Sequence, residues 1–197
     1  MVSFLQTRMP KELEDQLRIS SNSIIYNDSA EAQRTEIINL FNEFEGVNRD
    51  LLWRNQDHID LPEGYCIAPM EAAGCMLDTQ RTLMFIRGLH AAIKKLRKRN
   101  PKKRVSVLYA GCGPFATLAL PMTTQFTPDE IGFTLMDIHG DSLTYVHQLV
   151  ERLGLQSYFD DLICTDATQY QPSKKHVIIF LGSGLPLYPV SFPLVFA

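Results

Sequence analysis

Gly111 and Gly113 interrupt the apolar run "VSVLYAGCGPFATLAL" (105–120), and an aspartate closes each of the next two apolar runs, Asp137 in "FTLMDI" and Asp166 in "DLICTD". Each of these residue types has a use beside a ligand. A strand running into Gly-x-Gly and then a helix would bring backbone N–H groups to the carboxyl edge of a sheet. Gly111 can take a positive φ, and Gly113 lets a ligand lie directly against the chain. Asp137 follows Gly113 by 24 residues, where a carboxylate can accept both hydroxyls of a ribose. Asp166 and Ala167 then offer a carboxylate and adjoining backbone to an adenine amino group and ring nitrogen. Singly, each is an ordinary turn or cap residue. Packing alone does not readily set all three at consecutive strand ends.

Two ligand classes meet this pattern. Gly111, Gly113 and Ala116 fit G-x-G-x-x-A, the spacing of a dinucleotide-binding turn. Pro114 argues against that reading, because it removes an N–H from the segment that would cradle a pyrophosphate. A nucleoside without phosphate does not need that donor, and S-adenosylmethionine is one.

Residues 105–170 resemble the front half of a class I S-adenosylmethionine-dependent methyltransferase, with "VLYAGCGPF" as the glycine motif, "LMDIH" carrying the ribose acid and "CTDAT" the adenine turn. The Gly-x-Gly-Pro form is similar to that of some protein arginine methyltransferases. The resemblance implies a truncated, Rossmann-like parallel sheet of about four strands. It also implies cofactor contacts from Ala110, Gly111, Cys112, Gly113, Asp137, Ile138, Asp166 and Ala167. "MLDTQRTLMF" (76–85) resembles a segment whose arginine meets the methionine carboxylate, which adds Arg81, although the spacing is one residue shorter here. The implied activity is methyl transfer to a small molecule or a protein side chain. A cofactor-binding remnant without catalysis and a nicotinamide dehydrogenase are the alternatives.

The elements that must hold these residues can be read around them. "VSVLYA" (105–110), "FTLMDI" (133–138), "DLICTD" (161–166) and "HVIIFL" (176–181) have strand character. Leu143, Val146, Leu149, Val150 and Leu153 trace a helix stripe that closes at Gly154. Nearly continuous apolar strands alternating with helices predict an α/β fold whose parallel sheet is covered on both faces. Upstream, Leu83, Ile86, Leu89, Ile93 and Leu96 predict one helix from about Glu71 to Asn100-Pro101. Pro10 opens a short helix. Asp28 and Glu31 have capping-box spacing before a face of Ile37, Ile38, Phe41 and Phe44 that ends at Gly46. Residues 47–69 are loop-like. The predicted organisation is a helical cap over the site (1–68), a cofactor domain (69–181) and an irregular uncharged tail (182–197).

Composition narrows the rest. The 197 residues are 45% hydrophobic and 21% charged, with a formal charge of -3, which disfavours a general nucleic-acid binder. The basic run "KKLRKRNPKKR" (94–104) is read as a solvated helix end and loop. Cys66, Cys75, Cys112 and Cys164 lack metal-type spacing, so no metal is expected, and they are read as reduced thiols of a cytoplasmic protein. His139 and His147 are read as surface residues. No catalytic residue is identified, because "GSGLPLYPVSFPLVFA" (182–197) holds no acid or base of the expected kind. Three prolines there also count against a membrane span. The resembling fold continues for three further strands, so a shortened chain or an altered reading frame is expected, with "HVIIFL" as an edge prone to self-association.

Overall fold

The computed structural model describes residues 10–62, 64–171, 176 and 178–181. The tail expected at 182–197 lies outside them, as does any catalytic residue within it. In chain order come helices α1 (Pro10–Tyr26), α2 (Ala30–Glu45) and α3 (Arg49–Arg54), then a hairpin of β1 (Ile59–Leu61) and β2 (Gly64–Cys66). Two more helices follow, α4 (Pro69–Gly74) and α5 (Thr79–Arg99). The remainder alternates: β3 (Val105–Ala110), α6 (Ala119–Thr123), β4 (Ile131–Asp137), α7 (Gly140–Arg152), β5 (Phe159–Cys164) and β6 (Ile178–Leu181).

The last four strands form one parallel sheet in the order β5-β4-β3-β6. The chain therefore steps outward from β3 to β5 and then crosses back to the other side of β3. That reversal is a topological switch point, and in open α/β sheets ligands bind outside the carboxyl ends of the strands there. The protein is thus mixed α/β, compatible with a Rossmann-like fold, and among the described residues β6 is the edge strand expected of "HVIIFL".

Val105, Val107 and Tyr109 of β3 and Ile131, Phe133 and Leu135 of β4 share one core with α1 to α7. The expectation of helices on both faces is not met among the described residues. The opposite face carries Leu108, Ala110 and Met136 with Ile163 and Tyr170, and no described helix adds to it. The physical reason is handedness. The right-handed crossovers from β3 to β4 and from β4 to β5 run the same way and leave their helices on one side. The described part of the connection to β6 meets the other face through Tyr170, and it holds a turn, not a helix.

Local chemistry explains the other departures. Ser29, not Asp28, caps α2, its hydroxyl accepting from the Ala32 amide at 3.3 Å. Ile37, Phe41 and Phe44 are buried as expected, but Ile38 is exposed. The helix predicted from Glu71 is broken: Asp78 restarts it as α5 by accepting from the Arg81 amide at 3.3 Å. The loop-like stretch 47–69 contains α3 and the hairpin. The helices of the first 68 residues pack on α5, α6 and α7 within the common core, so the part of that segment reaching the site is the hairpin, through Leu61, Cys66 and Ile67. The hydroxyl of Tyr145 joins α7 to the end of α2, donating to the Phe44 and Glu45 carbonyls and accepting from the Asn48 amide at 3.2 Å.

Candidate functional site

Every strand of a parallel sheet ends on the same side, so β3, β4 and β5 deliver Gly111, Asp137 and Asp166 to one edge. There the chain forms a cleft with about 1050 Å³ of empty space, its open mouth included. That is large enough for a cofactor-sized ligand. All nine residues expected at a cofactor line it: Arg81, Ala110, Gly111, Cys112, Gly113, Asp137, Ile138, Asp166 and Ala167.

The glycine turn has the strain that demands glycine. Gly111 and Gly113 have φ of 67° and 62°, a region costly for residues with a Cβ. The segment after it differs from expectation. Residues 113–118 form successive turns, with Ala116 also at positive φ (43°), and α6 starts only at Ala119 and spans five residues. No long helix points its N-terminus at the cleft from this turn. Nor are its amides available throughout, since the Cys112 N–H donates to the Met136 carbonyl at 3.0 Å and Pro114 has none.

The Gly113 N–H donates to Asp137 Oδ2 at 2.8 Å, and the His139 N–H donates to Asp137 Oδ1 at 2.9 Å. Asp137 therefore clamps the glycine turn to the start of α7. It is 7% exposed, and burial pushes its carboxyl above the ordinary carboxylate value, against the opposing pull of those two amides and the His139 ring. An ionised carboxylate offers about four acceptor positions, so two amides leave it able to take ligand hydroxyls.

Asp166 is less committed. Its Oδ1 accepts from the Thr168 amide (2.8 Å) and hydroxyl (2.9 Å), and the neighbouring Ala167 is exposed. Arg81, in the first turn of α5, donates from Nη2 to the Cys75 carbonyl at 3.0 Å and lies 3.5 Å from Asp78, with its side chain 34% exposed. The cleft thus has one cation towards its α5 side and carboxylates at the ends of β4 and β5.

Several lining residues had no reading as site residues. Tyr109, two residues before the glycine turn, joins the main core and lines the cleft, while Ala110 is buried in the opposite cluster. Burial, reinforced by Cys112, Asp137 and Cys75, raises the Tyr109 phenol far above its usual value, and Arg81 only partly offsets it. Cys66 and Cys75 line the cleft beside Cys112. Burial first, then Asp137, raises both the Cys66 and Cys112 thiols, so neither is an activated thiolate. No group of ligating side chains among the described residues could hold a metal ion.

His139 requires a correction. It is 5% exposed and lines the cleft, because as N-cap residue of α7 it stands two residues beyond the buried end of β4. A polar residue after an aspartate gives no sequence signal of burial. His147 is exposed, 3.5 Å from Glu151, as expected.

The fold and the cleft together define an α/β protein with a ligand-sized site at the carboxyl edge of its parallel sheet. Compared with known proteins, the chain matches no family model, no curated protein and no solved structure. No helix among the described residues is long and apolar enough to cross a membrane.

Proposed function

We propose that this chain binds S-adenosylmethionine in the cleft and serves as the cofactor domain of a methyltransferase acting on a small molecule or a protein side chain. The observation that carries the reading is the convergence of Arg81, the Gly111–Gly113 turn, Asp137 and Asp166 on one cleft from four separate elements. Their chemistry matches the parts of such a ligand in order. The Arg81 guanidinium pairs with the methionine carboxylate, which needs a partner when withdrawn from water. The backbone of the glycine turn lies along the linker. Asp137 accepts the ribose hydroxyls, Ile138 lies against the adenine, and Asp166 with the Ala167 backbone meets its polar edge.

A dinucleotide fits less well. Its pyrophosphate would need amide donors from the turn, yet the Gly113 and Cys112 amides are already engaged and Pro114 has none. It would also stand beside the buried Asp137 carboxylate, a like charge in a poorly hydrated place. Methyl transfer itself requires an acceptor held in line with the sulfonium carbon, so the cleft residues contribute orientation.

Isothermal calorimetry of the full chain with S-adenosylmethionine and with S-adenosylhomocysteine tests the reading. Binding of both is expected, with Asp137→Ala weakening it by roughly 1–3 kcal/mol, the usual loss for charge-assisted hydrogen bonds. Absence of binding, or tighter binding of NADH, would overturn it. Binding without methyl transfer to any acceptor would leave a cofactor-binding protein without catalysis.

A further inference from the structure

The geometry points to His139 as a ligand-binding residue of the same cleft, its imidazole contacting the ribose edge of the bound nucleoside. This rests on the nucleoside reading above and adds to it a residue that the resemblance does not supply. Three observations carry it. The residue is 5% exposed and lines the cleft. Its Nε2 is fully buried with no hydrogen-bond partner among the described residues. Its own backbone N–H is fixed to Asp137 Oδ1 at 2.9 Å, which ties the residue directly to the proposed ribose carboxylate.

A buried polar nitrogen without a partner destabilises the protein that carries it, and a phenyl ring would fill the same space without that cost. The N-cap duty of His139 is performed by its backbone, and no side-chain cap bond is formed. The ring's electrostatic pull on Asp137 leaves Nε2 without a hydrogen bond, and a buried donor or acceptor left unmade beside a cleft is what a binding site retains for its ligand. The neighbouring Ser142 provides the contrast. Its Oγ is also buried and unpartnered one helical turn later, but it does not line the cleft.

The test compares His139→Phe and Ser142→Ala with the wild-type chain by calorimetry with S-adenosylhomocysteine and by thermal melting. His139→Phe is expected to bind about three- to tenfold more weakly while melting at the same temperature or a few degrees higher. Ser142→Ala is expected to melt no lower and to bind normally. Unchanged affinity in His139→Phe, or a fall in melting temperature that accounts for the weaker binding, would overturn the assignment. Should His139→Phe fail to fold, long-range 1H–15N spectra of the wild-type protein decide. The His139 ring nitrogens are expected to shift on adding S-adenosylhomocysteine while those of His147 do not, and a static His139 would refute the contact. If the wild-type chain binds no S-adenosylhomocysteine, the reading of the cleft itself fails. If it binds and His139→Phe binds equally, only the role of His139 does.

Discussion

Just before β3 begins, Arg104 turns its guanidinium into the protein: Nε donates to the Pro128 and Ile131 carbonyls at 2.6 and 3.1 Å, Nη1 pairs with Asp160 at 2.6 Å, and Nη2 reaches the Ser157 carbonyl at 3.4 Å. At the other end of the sheet, from the last residue of β4 onward, polar groups are left partly engaged. Asp137 holds two amides with acceptor capacity to spare, and His139 Nε2 has no partner among the described residues. The same strands run through both places, so the fold does not account for the difference. The Arg104 contacts bind the amino end to itself, whereas the spare acceptor and donor positions at the carboxyl end have capacity for something else. Buried polar groups are normally satisfied, and although Arg97 Nε also lacks a partner at the amino end, only at the carboxyl end does the unpartnered group line a cleft.

The sharpest way to break this comparison is to disturb the saturated end. A Cβ at Gly132 would lie 2.3 Å from the Arg104 guanidinium carbon, far inside contact distance. The guanidinium cannot swing away without losing its carbonyls and Asp160 together. Gly132→Ala is therefore expected to lower stability by roughly 2–3 kcal/mol, measured by urea unfolding, while the cleft residues stay in place. Combining it with Arg104→Ala should cost little more than Arg104→Ala alone, because both remove one interaction. A neutral Gly132→Ala would show that the clamp does not organise this end.

A smaller effect is expected at the unsaturated end, and it depends on pH. The Asp137 carboxyl is raised above its ordinary value of 3.8, with burial as the leading cause. In the folded chain it holds its proton more tightly than in the unfolded chain. Its contribution is fully present below 3.8 and is lost as pH rises from there through the raised folded value. Asp137→Asn cannot ionise, so the stability difference between wild type and variant should drift against the wild type across that window and level off above it. The amide also loses one of the two acceptors, which sets a constant offset but no slope. Equilibrium unfolding of both proteins from pH 3 to pH 7 measures it. A slope of the opposite sign would mean that the Gly113 and His139 amides outweigh burial and that the site is already satisfied.

Parts of both ends were legible in the sequence, and the reasons differ. Gly111 and Gly113 announced themselves because positive φ leaves few alternatives, and Asp137 and Asp166 followed from strand ends. The α7 stripe was readable because Leu143, Val146, Leu149, Val150 and Leu153 are all buried on one side. The break at Asp78 was hidden because apolar spacing continues across it, and only the cap at Asp78 signals the restart. The hairpin could not be read from strands of three residues each. His139 and Arg104 were opaque for one shared reason: polar residues are assigned to the surface unless tertiary structure buries them. Gly132 fell just outside the strand read at 133–138, and only the start of β4 at Ile131 makes it an isolated glycine within a strand, where close approach by another group is expected.

The smallest expected effect concerns the basic run, which the structure divides. Arg97 and Arg104 are engaged, Arg97 donating to the Lys103 carbonyl at 3.0 Å and lying 3.3 Å from Glu130. Lys98 and Lys102 are exposed at the end of α5 and in the turn after it, at the amino end of the sheet and away from the cleft. Lys98 also stands one turn from Lys94, a like-charge spacing that slightly disfavours the helix, while its place near the helix C-terminus slightly favours it. These effects are each a few tenths of a kcal/mol and oppose one another. The double variant Lys98→Gln and Lys102→Gln should therefore change stability by no more than about 0.5 kcal/mol, or about 1–2 °C in melting temperature. Its affinity for S-adenosylhomocysteine should equal that of the wild-type chain at low and at moderate salt, because screening shortens the reach of exposed charges to about 10 Å. A melting shift of several degrees would place these lysines among the saturated contacts of the amino end. A loss of affinity would mean that their field reaches the cleft, and the two ends of the sheet would no longer be separable.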